Sequence, residues 1–187
     1  MTAPLYPVGL VVEGRPVLVV GGGRIAASKV RGLANSGALV SVVAPRVSDD
    51  VRERAHRVIE RPYETGDGVG FQLIIAATDD PDVNALVFRD AEQLGVWVNS
   101  VDDPDHCSFT LPAVHRRGPV TVAVATDGSS PALARWLRDR LAASIPAGVE
   151  EAAVALAAER LAVQRSGGST EDIDWSGRIA ELLGDSS

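Results

Sequence analysis

The sequence has a single cysteine and no long apolar run. Because Cys107 is the only cysteine among 187 residues, the chain can form neither an internal disulfide nor a CxxC pair, and it lacks zinc-site spacing. The longest apolar runs, such as 17–20 and 73–77, are far shorter than the roughly 20 residues that a membrane-spanning helix requires. The first residues also lack the basic and apolar regions of a secretory signal. We therefore expect a cytoplasmic protein with no membrane association.

Basic residues are outnumbered by acidic ones. The chain has 18 Lys and Arg against 25 Asp and Glu, a formal net charge of −7, whereas a nucleic-acid-binding protein needs a basic face. Much of the negative charge lies in residues 150–187, which hold eight acidic and three basic residues. The net charge of the chain therefore says little about the charge of a site elsewhere in it. We expect no nucleic-acid partner.

Apolar runs rich in valine and isoleucine alternate with helical patterns through the first part of the chain. The predicted strands cover residues 16–20, 39–43, 57–59, 73–77 and 96–98, and the predicted helices cover 26–36, 47–55 and 81–94. This alternation is typical of βαβ units, which form a parallel sheet. We therefore predict an α/β fold with a Rossmann-type domain over residues 1–108.

The pattern changes after residue 108. Alternating runs at 110–114 and 120–125 flank a polar stretch at 115–119, which predicts a hairpin whose loop is that stretch. A helix follows, with Ser130 as its N-cap and a proline in its first position. These elements predict a small α+β segment over residues 109–145.

The end of the chain is alanine-rich and acidic. Residues 150–165 have a helical composition, and a flexible joint at 166–169 separates them from a last amphipathic helix. We expect Thr170 to cap that helix. The two helices predict a helical C-terminal segment over residues 146–187.

The first predicted strand runs directly into a glycine-rich turn and a helix. Residues 21–26 read G-x-G-x-x-A, a pattern that binds dinucleotides when it links a strand to a helix. The first glycine permits a tight turn, the second lets the backbone approach a pyrophosphate, and the small third residue lets the helix pack on the strand. The phosphates would lie at the positive helix N-terminus. We predict that NAD binds at Gly21, Gly23, Arg24, Ile25 and Ala26; the alternative is a glycine-rich turn without a ligand.

The second predicted strand lacks, after its end, the acidic residue that usually holds the ribose hydroxyls of NAD. The chain instead reads Ala44-Pro45-Arg46 at this point. Either Arg46 accommodates the 2′-phosphate of NADP, or Arg46 is a solvated surface residue and backbone groups of Pro45 and Arg46 hold the adenosine. The second interpretation is slightly favoured, and both residues are predicted cofactor contacts.

Polar residues follow the fourth predicted strand. Thr78 and Asp79 come directly after it, and ligands of doubly wound sheets bind outside the carboxyl ends of the strands. We predict that both residues line the cofactor cleft. Asp80, which precedes a proline, is also a candidate cap for the next helix, and the two roles are compatible.

A denser polar cluster, residues 99–108, follows the fifth predicted strand at the same edge of the sheet. A substrate is expected to meet the nicotinamide there, and Asp102 or Asp103 is a candidate general base or metal-facing carboxylate. His106 is a candidate acid or ligand, although an isolated loop histidine more often has neither role. Cys107 is more often a small buried residue than a nucleophile. The three histidines of the chain are scattered, so no metal site is predicted.

Several motifs together carry a resemblance to a known family. They are the glycine motif at 19–29, which includes Lys29, and the segments AATDD at 76–80, NSVD at 99–102, SF at 108–109, PA at 112–113 and GSSPALAR at 128–135. With these motifs in this order, residues 5–145 resemble the precorrin-2 dehydrogenase and sirohydrochlorin ferrochelatase family, which also forms the N-terminal module of siroheme synthases. The glycine motif is generic to Rossmann folds, whereas the other segments in this order are specific.

The resemblance implies NAD-dependent oxidation of precorrin-2 to sirohydrochlorin, and it leaves open a second activity that inserts iron. The family ties both reactions to an aspartate in its Asn-x-x-Asp segment, which corresponds to Asp102. It also implies a homodimer, with the segment after the Rossmann domain exchanged or packed across subunits. Residues after 145 match the family poorly, and Thr126 occupies the position of a serine that is phosphorylated in siroheme synthases.

The tetrapyrrole substrate that this resemblance implies is a polycarboxylate, so its cleft needs cations and N–H donors. Residues 112–140 hold five arginines and two aspartates, and the turn before the predicted helix offers hydroxyls and amides at a helix N-terminus. Most of these arginines are expected to be solvated. We predict substrate contacts at Asn99, Ser108, Ser129, Ser130 and Arg135.

Two other interpretations stay open. One is a dehydrogenase that leaves metal insertion to a separate chelatase. The other is a non-catalytic NAD-sensing module, because a Rossmann fold by itself does not determine function. These interpretations differ at Asp102, since its replacement would abolish turnover in an enzyme and have no effect on a sensor.

Overall fold

The computed structural model describes residues 5–171 and 173–184. The chain divides into two compact units, and the boundary falls between Leu111 and Pro112. The finer division into 1–108, 109–145 and 146–187 stays a prediction. Among the described residues, no helix combines the length and the hydropathy that crossing a bilayer requires.

Within residues 5–111, the chain forms a five-stranded parallel sheet with helices on both faces. The strands are β1 (Pro16–Val20), β2 (Leu39–Val43), β3 (Arg57–Ile59), β4 (Leu73–Ala76) and β5 (Trp97–Ser100), and the helices are α1 (Arg24–Ala34), α2 (Asp49–Arg52) and α3 (Pro81–Leu94). The strands lie in the order β3-β2-β1-β4-β5, and each neighbouring pair is parallel. Because β1 has β2 on one side and β4 on the other, the switch point of this doubly wound sheet lies at the carboxyl end of β1. The predicted α/β fold is confirmed.

Alternation along β1 divides the core of this unit between the two faces of the sheet. Val17 and Val19 pack with α1 in one cluster, and Leu18 and Val20 pack with α3 in the other. All four side chains are at most 2% exposed, as expected for a strand covered on both sides. Burial of a side chain of this size contributes about 1.5–3 kcal/mol, so the central strand anchors both helix layers.

A buried polar network fixes the loop between β3 and β4. The Tyr63 hydroxyl and the backbone N–H of Gly66 both donate to the Asp90 carboxylate on α3, and Asp90 is only 5% exposed. Burial, reinforced by the Asp90 carboxylate, raises the pKa of Tyr63. Its phenol therefore stays protonated and able to donate, and the loop is closed against α3.

We expect Tyr63→Phe to lower the free energy of unfolding by about 1–3 kcal/mol, because the buried Asp90 carboxylate loses a donor. Urea denaturation followed by circular dichroism measures this loss. Tyr6→Phe is a matched control, since the Tyr6 side chain is 88% exposed and lies in solvent. Equal stabilities of the two variants would contradict this role of Tyr63.

Within the described residues, the second unit consists of a hairpin and three helices. The strands β6 (Ala113–Arg117) and β7 (Val120–Val124) are antiparallel, and the helices are α4 (Pro131–Ala143), α5 (Val149–Arg165) and α6 (Ser176–Leu183). The Ser130 hydroxyl caps α4 by accepting from the N–H of Leu133, as predicted. The small antiparallel sheet and the helical C-terminal region agree with the predicted class of fold.

The predicted hairpin loop is wrong. His115, Arg116 and Arg117 belong to β6, and the connection is the short turn at Gly118 and Pro119. Gly118 has a φ of +53°, the left-handed conformation that tight hairpin turns use. The polar residues suggested a loop because neither face of this sheet is fully buried, so a strand there has no need of apolar side chains.

The predicted cap of the last helix is also wrong. Thr170 lies well before α6, which begins after Trp175. The carboxylate that meets the start of this helix is that of Asp174, which accepts from the N–H of Ser176. A capping side chain must sit directly before the first turn, and Thr170 is too far away in the sequence to do so.

The second unit has few buried residues. Among its described residues only Ala134 on α4 and Ala152 on α5 are buried. Along α4, Leu133, Trp136 and Leu141 are each at least 47% exposed. A two-stranded sheet without a larger core is marginally stable, so this unit carries an apolar surface that the described part of its own chain leaves uncovered.

Candidate functional site

The glycine turn after β1 packs tightly against the segments that follow β2 and β4. Gly21 has a φ of +122°, and a Cβ there would lie 2.3 Å from the backbone oxygen of Ala77. A Cβ on Gly22 would lie 2.0 Å from the backbone oxygen of Arg46. Both positions therefore require glycine. The N–H of Gly21 also donates to the backbone oxygen of Val43 at 2.9 Å, which ties the turn to β2.

Gly23 differs from its neighbours because the space beside it is open. Apart from Gly23 itself and its two chain neighbours, no heavy atom of the described residues lies within 4 Å of a Cβ built there. Helix α1 starts at this point without a side-chain cap and without an acidic residue in its first turn, so the N–H groups of Arg24, Ile25 and Ala26 have no intrahelical partner. An uncapped helix N-terminus beside an open glycine fits a diphosphate, so these residues are compatible with bound NAD.

Pro45 and Arg46 lie beside the glycine turn, directly after β2, and both are exposed. The N–H of Ser48 donates to the backbone oxygen of Gly22 at 2.9 Å, which holds this segment against the turn. The structure thus brings the predicted contacts at the ends of β1 and β2 together. Their role in holding the adenosine stays a prediction.

Thr78 and Asp79 lie at the carboxyl end of β4, on the other side of the glycine turn. The backbone nitrogen of Thr78 is 3.3 Å from the position of a Cβ on Gly21, so the two segments adjoin, and Asp79 is exposed. The predicted helix cap is confirmed, because the Asp80 carboxylate accepts from two N–H groups in the first turn of α3. Contact of Thr78 and Asp79 with the cofactor stays a prediction.

The loop after β5 is held by two side chains that the sequence predicts to bind substrate. Asn99 donates from Nδ2 to the backbone oxygen of Phe109 at 2.9 Å, and the Ser108 hydroxyl accepts from the N–H of Val98 at 2.7 Å. These bonds close the loop back onto its strand. Asn99 and Ser108 therefore position the loop, and their contact with substrate stays a prediction.

Cys107 lies inside this loop. Its Sγ accepts from the N–H of Ser100 at 3.2 Å and lies 3.2 Å from the backbone oxygens of Ser100 and Asp103. Burial raises the pKa of the thiol, which disfavours the thiolate that a nucleophilic cysteine needs. Cys107 is half-buried, not buried, and its surroundings favour a packing role over that of a nucleophile.

Asp102 lies exposed in the same loop with an unusual backbone conformation. Its φ is +59°, in the left-handed region that costs a non-glycine residue about 1–3 kcal/mol and is concentrated at functional sites. Asp103, the next residue, pairs with a histidine: its Oδ2 lies 2.6 Å from Nδ1 of His106. The His106 ring packs edge-on against Phe88. The loop therefore presents one strained, free-standing carboxylate beside a carboxylate that is paired with histidine.

Lys29, the only lysine in the chain, interacts electrostatically with Asp102 from α1. Lys29 is half-buried and lines a groove of about 500 Å³ together with Arg24, Ile25 and Ser48. Burial lowers the pKa of Lys29, and the attraction of the Asp102 carboxylate opposes this shift. The groove therefore contains the start of α1 and Lys29, whose pKa responds to the Asp102 carboxylate. In the sequence Lys29 stands out only as part of a motif, because no sequence signal places α1 beside the loop after β5.

We expect the pKa of Lys29 to lie below its ordinary value and to fall further in Asp102→Asn, because that variant removes the carboxylate that raises it. Reductive ¹³C-methylation followed by NMR titration measures this, since a single lysine gives a single side-chain resonance. Asp105→Asn, another exposed acid in the same loop, is the control. An unchanged Lys29 titration in Asp102→Asn would show that the two groups do not interact.

In the second unit, Thr126 orders the loop before α4. Its hydroxyl accepts from the N–H of Ser130 at 3.1 Å and donates to the backbone oxygen of Ser130 at 3.0 Å, and Asp127 has a φ of +47°. The Ser130 hydroxyl is engaged as the helix cap, whereas Ser129 and Arg135 are exposed. Substrate contacts at Ser129, Ser130 and Arg135 stay predictions.

The chain is a Rossmann-type NAD(P)-binding protein. This class is defined by the strand order of the sheet and by the glycine turn at the switch point, which leads into a helix without a side-chain cap. Comparison with known families agrees with this class. A family profile described as NAD(P)-binding matches residues 8–113, and a profile described as the central part of sirohaem biosynthesis proteins matches residues 117–144.

Individual relatives narrow the family further. A siroheme synthase of Azotobacter vinelandii is 49% identical over 141 residues, which are 73% of this chain and 30% of the relative. A siroheme synthase of Pseudomonas putida strain F1 is 46% identical over 146 residues, 76% of this chain and 32% of the relative, so the chain spans about a third of the length of these curated relatives. The solved structure of SirC, a precorrin-2 dehydrogenase, has a TM-score of 0.74 and 30% identity, and the likeness covers 97% of this chain and 88% of that chain. The chain belongs to the NAD(P)-binding family of sirohaem biosynthesis proteins that includes SirC.

Proposed function

We propose that this chain is an NAD-dependent precorrin-2 dehydrogenase of siroheme biosynthesis, which oxidises precorrin-2 to sirohydrochlorin. One observation carries the proposal: a glycine turn that fits a diphosphate and the strained carboxylate of Asp102 occupy the same carboxyl edge of one sheet. The likeness to SirC over nearly the whole chain supports the choice of substrate.

The oxidation removes one hydride and one proton from the macrocycle. Bound NAD supplies the acceptor for the hydride. We assign the proton to Asp102, whose exposed carboxylate is able to act as a general base. Lys29 places a cation near this carboxylate, where it also attracts an anionic substrate.

The carboxylates of the substrate need partners, and the second unit offers them. Ser129 is exposed next to the start of α4, and Arg135 is exposed one turn into the helix. A guanidinium group binds a carboxylate through two parallel hydrogen bonds, and hydroxyls at a helix N-terminus suit anions. We propose substrate contacts at Ser129, Ser130 and Arg135 in the second unit, and at Asn99 and Ser108 in the first unit.

The proposal includes a homodimer in which a second copy covers the apolar surface of the second unit. This surface includes Leu133, Trp136 and Leu141 on α4, and a unit with so few buried residues needs additional contacts to be stable. Sedimentation equilibrium should therefore give twice the chain mass of 19.6 kDa. A monomer at micromolar concentration would remove this part of the proposal.

We also assign the reaction to the cytoplasm. The single cysteine of the chain leaves no internal disulfide to form, so the fold does not depend on an oxidising compartment. The cofactor NAD is abundant in the cytoplasm.

The test is anaerobic incubation of the purified protein with precorrin-2, with and without NAD, while the sirohydrochlorin absorbance is followed. We expect product only when NAD is present, and a parallel reaction with NADP measures whether Arg46 admits the 2′-phosphate. An absence of NAD-dependent product would favour the NAD-sensing module.

A second arm of the same experiment adds ferrous ion after the oxidation is complete. Among the described residues, no group of three His, Cys, Asp or Glu side chains is placed to hold a metal ion. Iron insertion would therefore depend on the nitrogens of the macrocycle and on a base that takes up the displaced protons. A spectral change faster than that in a protein-free control would add the chelatase to the activities of the chain.

A further inference from the structure

We propose that Asn84, a buried side chain in the first turn of α3, is a positioning residue for the cofactor because it fixes Thr78 beneath the glycine turn. Asn84 is 7% exposed and makes three hydrogen bonds to one residue. Its Oδ1 accepts from the Thr78 hydroxyl at 2.8 Å and from the Thr78 N–H at 3.4 Å. Its Nδ2 donates to the Thr78 backbone oxygen at 3.1 Å. One carboxamide thus holds the N–H, the side chain and the carbonyl of Thr78.

The position of the segment Ala77–Thr78 matters because the glycine turn packs directly against its backbone. A Cβ on Gly21 would lie 2.3 Å from the Ala77 oxygen and 3.3 Å from the Thr78 nitrogen. The N–H of Ala77 donates to Val20 at 2.8 Å, so this side of the segment is tied to β1. Asn84 ties the other side to α3. The turn that would hold the diphosphate therefore packs against a segment that is hydrogen-bonded to β1 on one side and to α3 on the other.

The hydrogen bonds from Asn84 also change the expected role of Thr78. The Thr78 hydroxyl lies within hydrogen-bond distance of Asn84 Oδ1, and it also lies 3.0 Å from the Asp80 oxygen and 3.2 Å from the Asp80 nitrogen. A hydroxyl has one proton to donate, and these protein groups already use it. We infer that this segment serves the cofactor through its fixed backbone, with Asn84 as the residue that fixes it.

Sequence reasoning missed Asn84 because a polar residue in a helix suggests an exposed face. The available signal is its spacing: Asn84 follows Asp80, the cap of α3, by one turn of helix, which returns its side chain to the segment before the helix. The inference rests on the proposed cofactor site, since positioning has a function only if a dinucleotide binds there.

The experiment compares Asn84→Ala with Asp90→Ala. Asp90 lies on the same helix, is similarly buried at 5% exposure, and bonds to a different loop through Tyr63 and Gly66. Each variant is measured twice, by urea unfolding and by fluorescence titration with NADH in the absence of substrate. Both variants lose stability. We expect NADH affinity to fall about tenfold or more in Asn84→Ala, because small misplacements at a binding site are costly, and to stay at the wild-type value in Asp90→Ala.

Two further variants keep the test decisive if Asn84→Ala does not fold. Asn84→Asp keeps an acceptor for the Thr78 hydroxyl and N–H but turns a carboxylate oxygen toward the Thr78 backbone oxygen, so its NADH affinity should also fall. Thr78→Val removes the hydroxyl and leaves the backbone bonds to Asn84, so its loss of NADH affinity should be the smaller one. A larger loss in Thr78→Val than in the Asn84 variants would overturn the proposal, and so would wild-type NADH affinity in destabilised Asn84 variants.

The readout separates this inference from the proposed function. NADH titration needs no precorrin-2, so a chain that binds NADH in an Asn84-dependent way but does not oxidise precorrin-2 supports the inference and contradicts the proposed function. A wild-type chain that does not bind NADH overturns both.

Discussion

Replacement of Asp102 by asparagine is expected to lower kcat for precorrin-2 oxidation by about 10²–10⁴-fold, the usual contribution of a general acid or base, while NADH affinity is retained. Asparagine keeps the shape of the side chain and removes its ability to take up a proton. It also tolerates the left-handed backbone better than most residues, and Asp102 has a φ of +59°. Anaerobic turnover with saturating NAD and a separate NADH titration measure the two effects.

The choice of asparagine matters because alanine would confound the result. Alanine at a positive φ adds backbone strain of roughly 1 kcal/mol or more, so a loss of activity would also reflect a moved loop. Asp105→Asn is the matched control, because it removes an exposed charge from the same loop. Wild-type turnover in Asp102→Asn would contradict the assignment of Asp102, and the proton would then need another base in this loop, of which Asp103 is the nearest candidate in sequence.

Much of the first unit could be predicted from local sequence signals. Helix α3 was predicted with its observed bounds, because Asp80 and the following proline mark its start and Gly95, with a φ of +68°, marks its end. Strands β1 and β4 were recognisable as apolar runs because both faces of each are covered. In the second unit, β6 and β7 are exposed or half-buried throughout, so the apolar pattern that reveals a strand is weak and the polar residues predict a loop instead.

The candidate site likewise contains residues that the sequence predicts and residues that only the structure reveals. The glycine turn and Asp102 were predictable because a fingerprint and a position at a strand end are local features. Lys29 and Asn84 were not, because their roles depend on which elements adjoin. Lys29 acts on a loop that follows β5, and Asn84 acts on the segment beneath a turn that follows β1. The sheet order β3-β2-β1-β4-β5, which places β4 beside β1, creates both neighbourhoods.

The second large prediction concerns two glycines of the same turn. Replacement of Gly21 should affect the stability of the fold, and replacement of Gly23 should affect the binding of NADH. Gly21→Ala should lower the free energy of unfolding by at least about 2 kcal/mol, because it combines overpacking with backbone strain. The new Cβ would lie 2.3 Å from the Ala77 oxygen at a φ of +122°, and the obstructing atom belongs to a backbone that is paired within the sheet. Urea unfolding measures this loss.

Gly23→Ala should leave stability within about 1 kcal/mol of wild type, because a poorer helix cap and a stiffer unfolded chain have opposite effects. Apart from residue 23 itself and its two chain neighbours, the new Cβ meets no heavy atom of the described residues within 4 Å, so it enters the space that a diphosphate would occupy. We therefore expect NADH affinity to fall about tenfold or more, since a ligand displaced from its site loses its aligned contacts. If Gly23→Ala bound NADH like the wild type, the open space beside Gly23 would not be the phosphate site, and the cofactor would have to approach the sheet from elsewhere. If Gly23→Ala were as unstable as Gly21→Ala, the space beside Gly23 would be a structural requirement of the turn and would say nothing about a ligand.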